Sequence, residues 1–142
     1  KVGWIQSLFK YLFNDMLRSH EIDGKLTGAT WVMIGAVITI TLFSKPVAVI
    51  ALIFMSLGDT TAGLIGQRFG KHKIGDKTWE GFFGGLIICI IIALNFPFLP
   101  LMVSLSGAIT AMIMELIPIP LDDNFKIPLG SGAIMMMLST PI

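Results

Sequence analysis

One acid stands alone in an apolar run. Asp59, in Leu57-Gly58-Asp59-Thr60-Thr61-Ala62, is the only charged side chain between Pro46 and Gly66. A carboxylate at membrane depth costs at least a few kcal/mol, so such a residue marks a functional site by default. Further acids follow: Glu115, then Asp122-Asp123-Asn124. Hard oxygen donors suit Mg²⁺, which binds through one or two carboxylates plus substrate phosphates. The plainer reading of residues 121–126 is a hydrophilic connector with Asx-turn residues.

The stretch from Gln67 to Gly81 carries Arg68, Lys71, Lys73 and Lys77 among Gly70, Gly75 and Thr78. Gly70 to Gly75 followed by Lys77-Thr78 almost spells a phosphate-binding P-loop. One residue too many separates Gly75 from Lys77, and an apolar run rather than a strand precedes it, so that motif is rejected. The physics survives: glycine frees backbone amides, and Arg or Lys neutralises phosphate. A basic loop that only sets topology explains the lysines but not Asp76 and Glu80. His72 reads as a solvated loop residue. Gly58, Ala62, Gly66 and Gly70 recur every four residues, a stripe suited to close helix packing. A fourth polar group is Arg18, His20 and Glu21, then Leu26-Thr27-Gly28-Ala29-Thr30, whose hydroxyls could cap a helix.

The elements that must hold these groups are apolar. Of 142 residues, 54% are hydrophobic and 13% charged; mean hydropathy is +0.84. Soluble domains run about 25% charged. No charge falls in Leu26–Ser44, Pro46–Gly58, Gly81–Met114 or Ile127–Ile142. Such windows predict spans at about Leu26–Phe43, Pro46–Gly66, Gly81–Phe96 and Leu101–Ile117. Ile127–Ile142 is a fifth, short stretch, interrupted by Pro128, Gly130 and Gly132. Lys1–Leu17 carries one apolar stripe, with Trp4 and Tyr11 suited to an interface. The expected fold is an all-α, polytopic membrane helix bundle of about four to five spans, plus an N-terminal amphipathic or partial span. It is read as a single integral-membrane catalytic domain over residues 1–142. Nothing basic enough for nucleic acid is present, the lone Cys89 reads as a packing residue, and no signal peptide is evident.

Lys and Arg set the orientation. Counted alternately, the N-terminal segment, residues 67–80 and residues 121–126 share one side, with nine basic residues against Lys45 alone. That bias predicts a cytoplasmic location for those loops. Asp59 lies seven residues before Gly66, about 10 Å inside the cytoplasmic mouth at ~1.5 Å per residue.

In this order, the four stretches resemble the CTP-dependent lipid-alcohol kinases. That family comprises dolichol or polyprenol kinase, phytol kinase and the yeast-type CTP-dependent diacylglycerol kinase, and it is related to the CDP-diacylglycerol synthases. The matching residues are Glu21 with Leu26-Thr27-Gly28-Ala29-Thr30; Gly58-Asp59 with Ala62, Gly66, Arg68, Phe69 and Gly70; Lys77-Thr78 with Glu80-Gly81; and Glu115 with Asp122-Asp123-Asn124 and Ile127-Pro128-Leu129. The resemblance covers about Arg18 to Gly132. It implies transfer of the γ-phosphoryl group of CTP to the hydroxyl of a membrane lipid alcohol, with Mg²⁺ or another divalent cation, giving a lipid phosphate and CDP. It implies Asp59, Asp122 and Asp123 as metal ligands. It implies Arg68, Gly70, Lys77, Thr78, Glu80, Glu21 and Thr27 at the nucleotide. Asp59, Lys77 and Glu115 are the implied catalytic residues, with Glu80 holding Lys77 and either Glu115 or one Asp accepting the hydroxyl proton. Family members usually begin with further spans bearing an Arg-Lys and a His motif, which this chain lacks, so the expectation is either that its ends are missing or that it is a shortened form.

Three rivals stand beside that reading. A cytidylyltransferase would make a CDP-lipid and release pyrophosphate. A small transporter would use Asp59 to carry a proton or ion, but then charges are expected at both faces. A non-catalytic assembly subunit would need no substrate. The implied partners are the lipid alcohol and the nucleotide, and an oligomer is compatible with the pattern.

Overall fold

A computed structural model describes residues 28–139. Glu21, Thr27 and the amphipathic stretch Lys1–Leu17 lie outside the described residues. Five helices run through the rest: α1 (Gly28–Leu42), α2 (Lys45–Phe69), α3 (Trp79–Leu94), α4 (Leu101–Leu116) and α5 (Asp123–Ser139). A short antiparallel hairpin, β1 (Lys73–Ile74) and β2 (Lys77–Thr78), joins α2 to α3 with Lys73 opposite Thr78 and Ile74 opposite Lys77. Gly75 turns it at φ 58°, a conformation glycine adopts without cost.

Local sequence explains the boundaries. Pro46 sits in the first turn of α2, where its missing N–H is no loss. Thr78 caps α3: its Oγ1 accepts from the Gly81 amide at 3.2 Å. Pro100 immediately precedes α4, and Pro118 follows it. The fifth apolar stretch differs from expectation. It begins earlier, at Asp123, and runs as helix through Pro128, Gly130 and Gly132. Pro128 deprives the Asn124 carbonyl of its helical donor. Gly35 of α1 approaches at that point; a Cβ there would lie 2.5 Å from the Asn124 oxygen.

α2 is apolar and 25 residues long, enough by length and composition to cross a membrane; α1, α3 and α4 are apolar but shorter. Its middle, Phe54–Asp59, winds as a π-helical turn. Such wide turns carry one extra residue and favour functional sites.

The bundle interior mixes apolar side chains with a few small polar ones, and large apolar residues also coat its outside. Thr39, Ser104 and Ser131 are fully buried beside Val47, Ile50, Phe54, Met112 and Ile127. Met33, Ile87, Met102, Ile109 and Met137 are exposed, Met102 at 77%. The stripe Gly58, Ala62 and Gly66 packs against α3. A Cβ on Gly81 would lie 2.6 Å from the Ala62 oxygen, and one on Gly85 would lie 2.8 Å from the Gly58 oxygen. That close approach brings the second half of α2 and the start of α3 together around the hairpin.

Candidate active site

The hairpin projects Lys77 over the end of the bundle, where three helices present acids. Lys77 Nζ lies 2.6 Å from Asp123 Oδ2, 3.3 Å from Glu115 Oε1 and 3.9 Å from Asp59 Oδ1. Each acid comes from a different helix: Asp59 from the π turn of α2, Glu115 from the last turn of α4 and Asp123 from the first residue of α5. Lys126 completes the cluster. It is 9% exposed, and its Nζ reaches Asp123 Oδ1 and the Ile117 carbonyl, both at 2.8 Å. Asp123 is thereby held between two ammonium groups.

Burial works against the Lys77 charge, but the hydrogen bond to Asp123 and the charges of Asp123, Glu115 and Asp59 outweigh it. Its pKa is raised above the usual 10.5. Glu115 is 4% exposed, and its second oxygen, Oε2, has no hydrogen-bond partner. A buried polar atom left unmatched at a cleft calls for a functional explanation. The cluster opens onto a cavity of about 760 Å³, also lined by Lys73, Asp76 and Thr78. At the opposite end of the bundle lies a small cleft formed by Lys45, Pro46, Val49, Phe96 and Phe98.

The structure brings Asp59, Lys77, Glu115 and Asp123 together, with Gly70 and Thr78 on the same cavity wall. Three other residues assigned to the site meet different partners. Glu80 does not hold Lys77: its Oε1 meets His72 Nδ1 at 2.7 Å, and its Oε2 accepts from the His72 amide at 3.3 Å. The contact with His72 lowers the Glu80 pKa to about 2. Asp122 makes a local cap at the start of α5: its Oδ1 accepts from the Asn124 amide at 3.0 Å and from the Asn124 side chain at 2.8 Å. Arg68 does not join Lys77 either. Its guanidinium lies 5.8 Å from the centre of the Phe69 ring, beside a second cavity of about 440 Å³ bounded by Phe69, Gly70, Lys71 and Glu80. Gly70 borders both cavities.

Lys126 was not singled out from sequence. A signal for it existed, since it lies three residues after Asp123 at the head of a helix, where opposite charges meet. Among the described residues no three His, Cys, Asp or Glu side chains are arranged to hold an ion by themselves. Asp59, Glu115 and Asp123 are nonetheless hard oxygen donors within 3.9 Å of one ammonium. A cation that takes its remaining ligands from substrate phosphates needs only one or two of them.

The chain is 26% identical to a probable chloroplastic phytol kinase of Triticum aestivum, over 89% of this chain and 49% of that protein. It is 26% identical to CTP-dependent diacylglycerol kinase 1 of Schizosaccharomyces pombe, over 92% of this chain and 68% of that protein. With the phytol kinase of a Synechocystis strain, identity is 31% over 61% of this chain and 42% of that protein. The chain is a relative of these lipid kinases. The resemblance read from its motifs is thus matched by similarity along most of its length. The chain spans 49%, 68% and 42% of the length of these three relatives. No family model and no solved structure gives a significant match.

Proposed function

We propose that the chain carries the active site of a CTP-dependent lipid-alcohol kinase, set in a membrane as a multi-pass helix bundle. The observation that carries the reading is the cluster around Lys77: one ammonium shared by three acids, at the end of an apolar bundle, beside a cavity large enough for a nucleotide tail. The names of the relatives, phytol kinase and CTP-dependent diacylglycerol kinase, support a lipid alcohol and CTP as substrates. The large apolar exterior supports burial in lipid, since soluble proteins rarely expose such a coat. The basic residues of the hairpin end support a cytoplasmic location for the cluster.

Phosphoryl transfer asks the protein mainly for positioning and charge neutralisation. Lys77 would meet the γ-phosphoryl oxygens, with Lys73 and Thr78 beside it on the cavity wall. Gly70 would let the nucleotide extend from this cavity toward Arg68 and Lys71. Asp59 and Asp123 would hold Mg²⁺ or another divalent cation, which supplies neutralisation of phosphate charge. The lipid hydroxyl oxygen bonds to the γ-phosphorus while the bond from that phosphorus to the β-phosphate oxygen breaks. CDP leaves, and the hydroxyl proton passes to Glu115, whose Oε2 is unmatched.

CTP labelled at the γ or the α phosphorus tests the reading against a panel of dolichol, polyprenol, phytol and diacylglycerol, with phosphatidic acid added as the lipid-phosphate acceptor a cytidylyltransferase needs to make a CDP-lipid. The kinase places γ label in the lipid and leaves α label in CDP. Label from the α position in the lipid, with γ label in pyrophosphate, would instead identify a cytidylyltransferase.

A further inference from the structure

An apolar helix facing lipid has no reason to show polar atoms on its outer side, yet α2 does. Ser56, Thr60, Gly63 and Gln67 are exposed and follow one another at helical spacing, with Leu57 and Leu64 at 50% and 63% exposure alongside. Polar groups on such helices face cavities or partners. Thr60, Gly63, Leu64 and Gln67 all line the same cavity as Lys77, Glu115 and Asp123. The cavity therefore runs from the outer flank of α2 inward to the acid cluster. At its inner end Glu115 is 4% exposed and keeps Oε2 without a partner. Gly63 stands at the outer end. Among the described residues nothing lies within 4 Å of where its Cβ would be, whereas the glycines facing α3 are tightly enclosed.

We infer that the Thr60–Gly63–Leu64–Gln67 flank of α2 is the lateral portal through which a membrane lipid alcohol brings its hydroxyl to Asp59 and Glu115. The inference rests on the kinase reading and adds the acceptor's route to it. The chemistry of the flank fits that occupant. The polar atoms of Thr60 and Gln67 suit a hydroxyl, Leu57 and Leu64 suit its hydrocarbon body, and the missing side chain at Gly63 leaves room between them. The level fits as well. Gly63 lies four residues beyond Asp59 toward the hairpin end, about 6 Å at ~1.5 Å per residue. On the proposed topology that is close to the depth at which lipid hydroxyls sit.

Gly63 provides the test, because a side chain there fills the portal without touching the packed interior. Gly63→Phe is expected to lower kcat/KM for the lipid at least about tenfold while leaving the KM for CTP and the unfolding temperature unchanged. Ile87→Phe, which places the same ring on the exposed face of α3, is expected to change neither. Unchanged lipid kinetics in Gly63→Phe would overturn the portal. A photoreactive diacylglycerol and a photoreactive polyprenol, each with a diazirine in the chain, separate this failure from failure of the kinase reading. Labelling of the peptide 56–67 that Gly63→Phe abolishes supports the portal even if no phosphate is transferred. Lipid phosphorylation with labelling elsewhere keeps the kinase and overturns the portal. A Gly63→Cys variant that forms a disulfide-linked dimer in membranes would also overturn it, by marking the flank as a contact between copies.

Discussion

Lys77 and Asp123 are 46 residues apart in the chain and meet at 2.6 Å. The same carboxylate takes Lys126 at 2.8 Å through its other oxygen. One side chain thus ties the hairpin after α2 to the head of α5 and, through the Ile117 carbonyl held by Lys126, to the end of α4. The electrostatics of the site and the closure of the bundle end are the same set of contacts.

Lys77→Met is expected to lower lipid phosphorylation by about 100-fold or more, as removal of a preorganised charge at a reacting centre does. Lys77→Arg should recover part of it. Because the Lys77 pKa is raised above 10.5, its ion pairs are intact below that value and are lost only as pH rises past it. The rate profile between about pH 6 and 9 should carry no inflection that disappears in Lys77→Arg.

Lys126→Met leaves the Ile117 carbonyl and one Asp123 oxygen without their donor. Loss of about 1–3 kcal/mol of stability is expected, read as a lower unfolding temperature in detergent. A variant as stable as the parent would show that Lys126 is not a structural tie.

Much of this site could be read from residue types. Asp59 was marked by its isolation, Glu115 and Asp123 by their acidity at helix ends, and Lys77 by its glycine-rich surroundings. Helix positions followed from charge-free windows and proline punctuation, though α5 starts at Asp123 and passes through Pro128, with α1 packed closely against the freed Asn124 carbonyl. Pairings were not legible. Which of Asp122 and Asp123 faces Lys77 depends on one residue of helical rotation. Whether Glu80 meets Lys77 or His72 depends on hairpin register, and strand register reverses the faces of side chains with a slip of one. Lys126 and the π turn carry no distinct sequence signal beyond spacing.

The glycines divide sharply. Gly81→Ala and Gly85→Ala place a methyl group against backbone oxygens at 2.6 and 2.8 Å, and each should destabilise by about 1–3 kcal/mol through overpacking. Gly63→Ala meets open space and should raise stability slightly or leave it unchanged. Thermal unfolding of the three variants side by side checks the helix packing.

Glu80 reports on the hairpin. Its pKa is lowered from 4.5 to about 2 by the hydrogen bond to His72. Its contribution to stability is present above pH 4.5 and is lost as pH falls through about 2. An NMR titration of the Glu80 carboxyl carbon should inflect near pH 2 in the parent and move upward in His72→Ala. An inflection near 4.5 in both would show that the contact does not hold in solution.

Asp59→Asn tests the central claim most directly. It keeps the shape of the side chain and removes its charge. The measurement is transfer of γ-labelled phosphate from CTP to a lipid alcohol in the presence of Mg²⁺, beside the unfolding temperature of the same preparation. The expected result is a fall of about 100-fold or more in transfer with folding unchanged. Full transfer by folded Asp59→Asn would contradict the account.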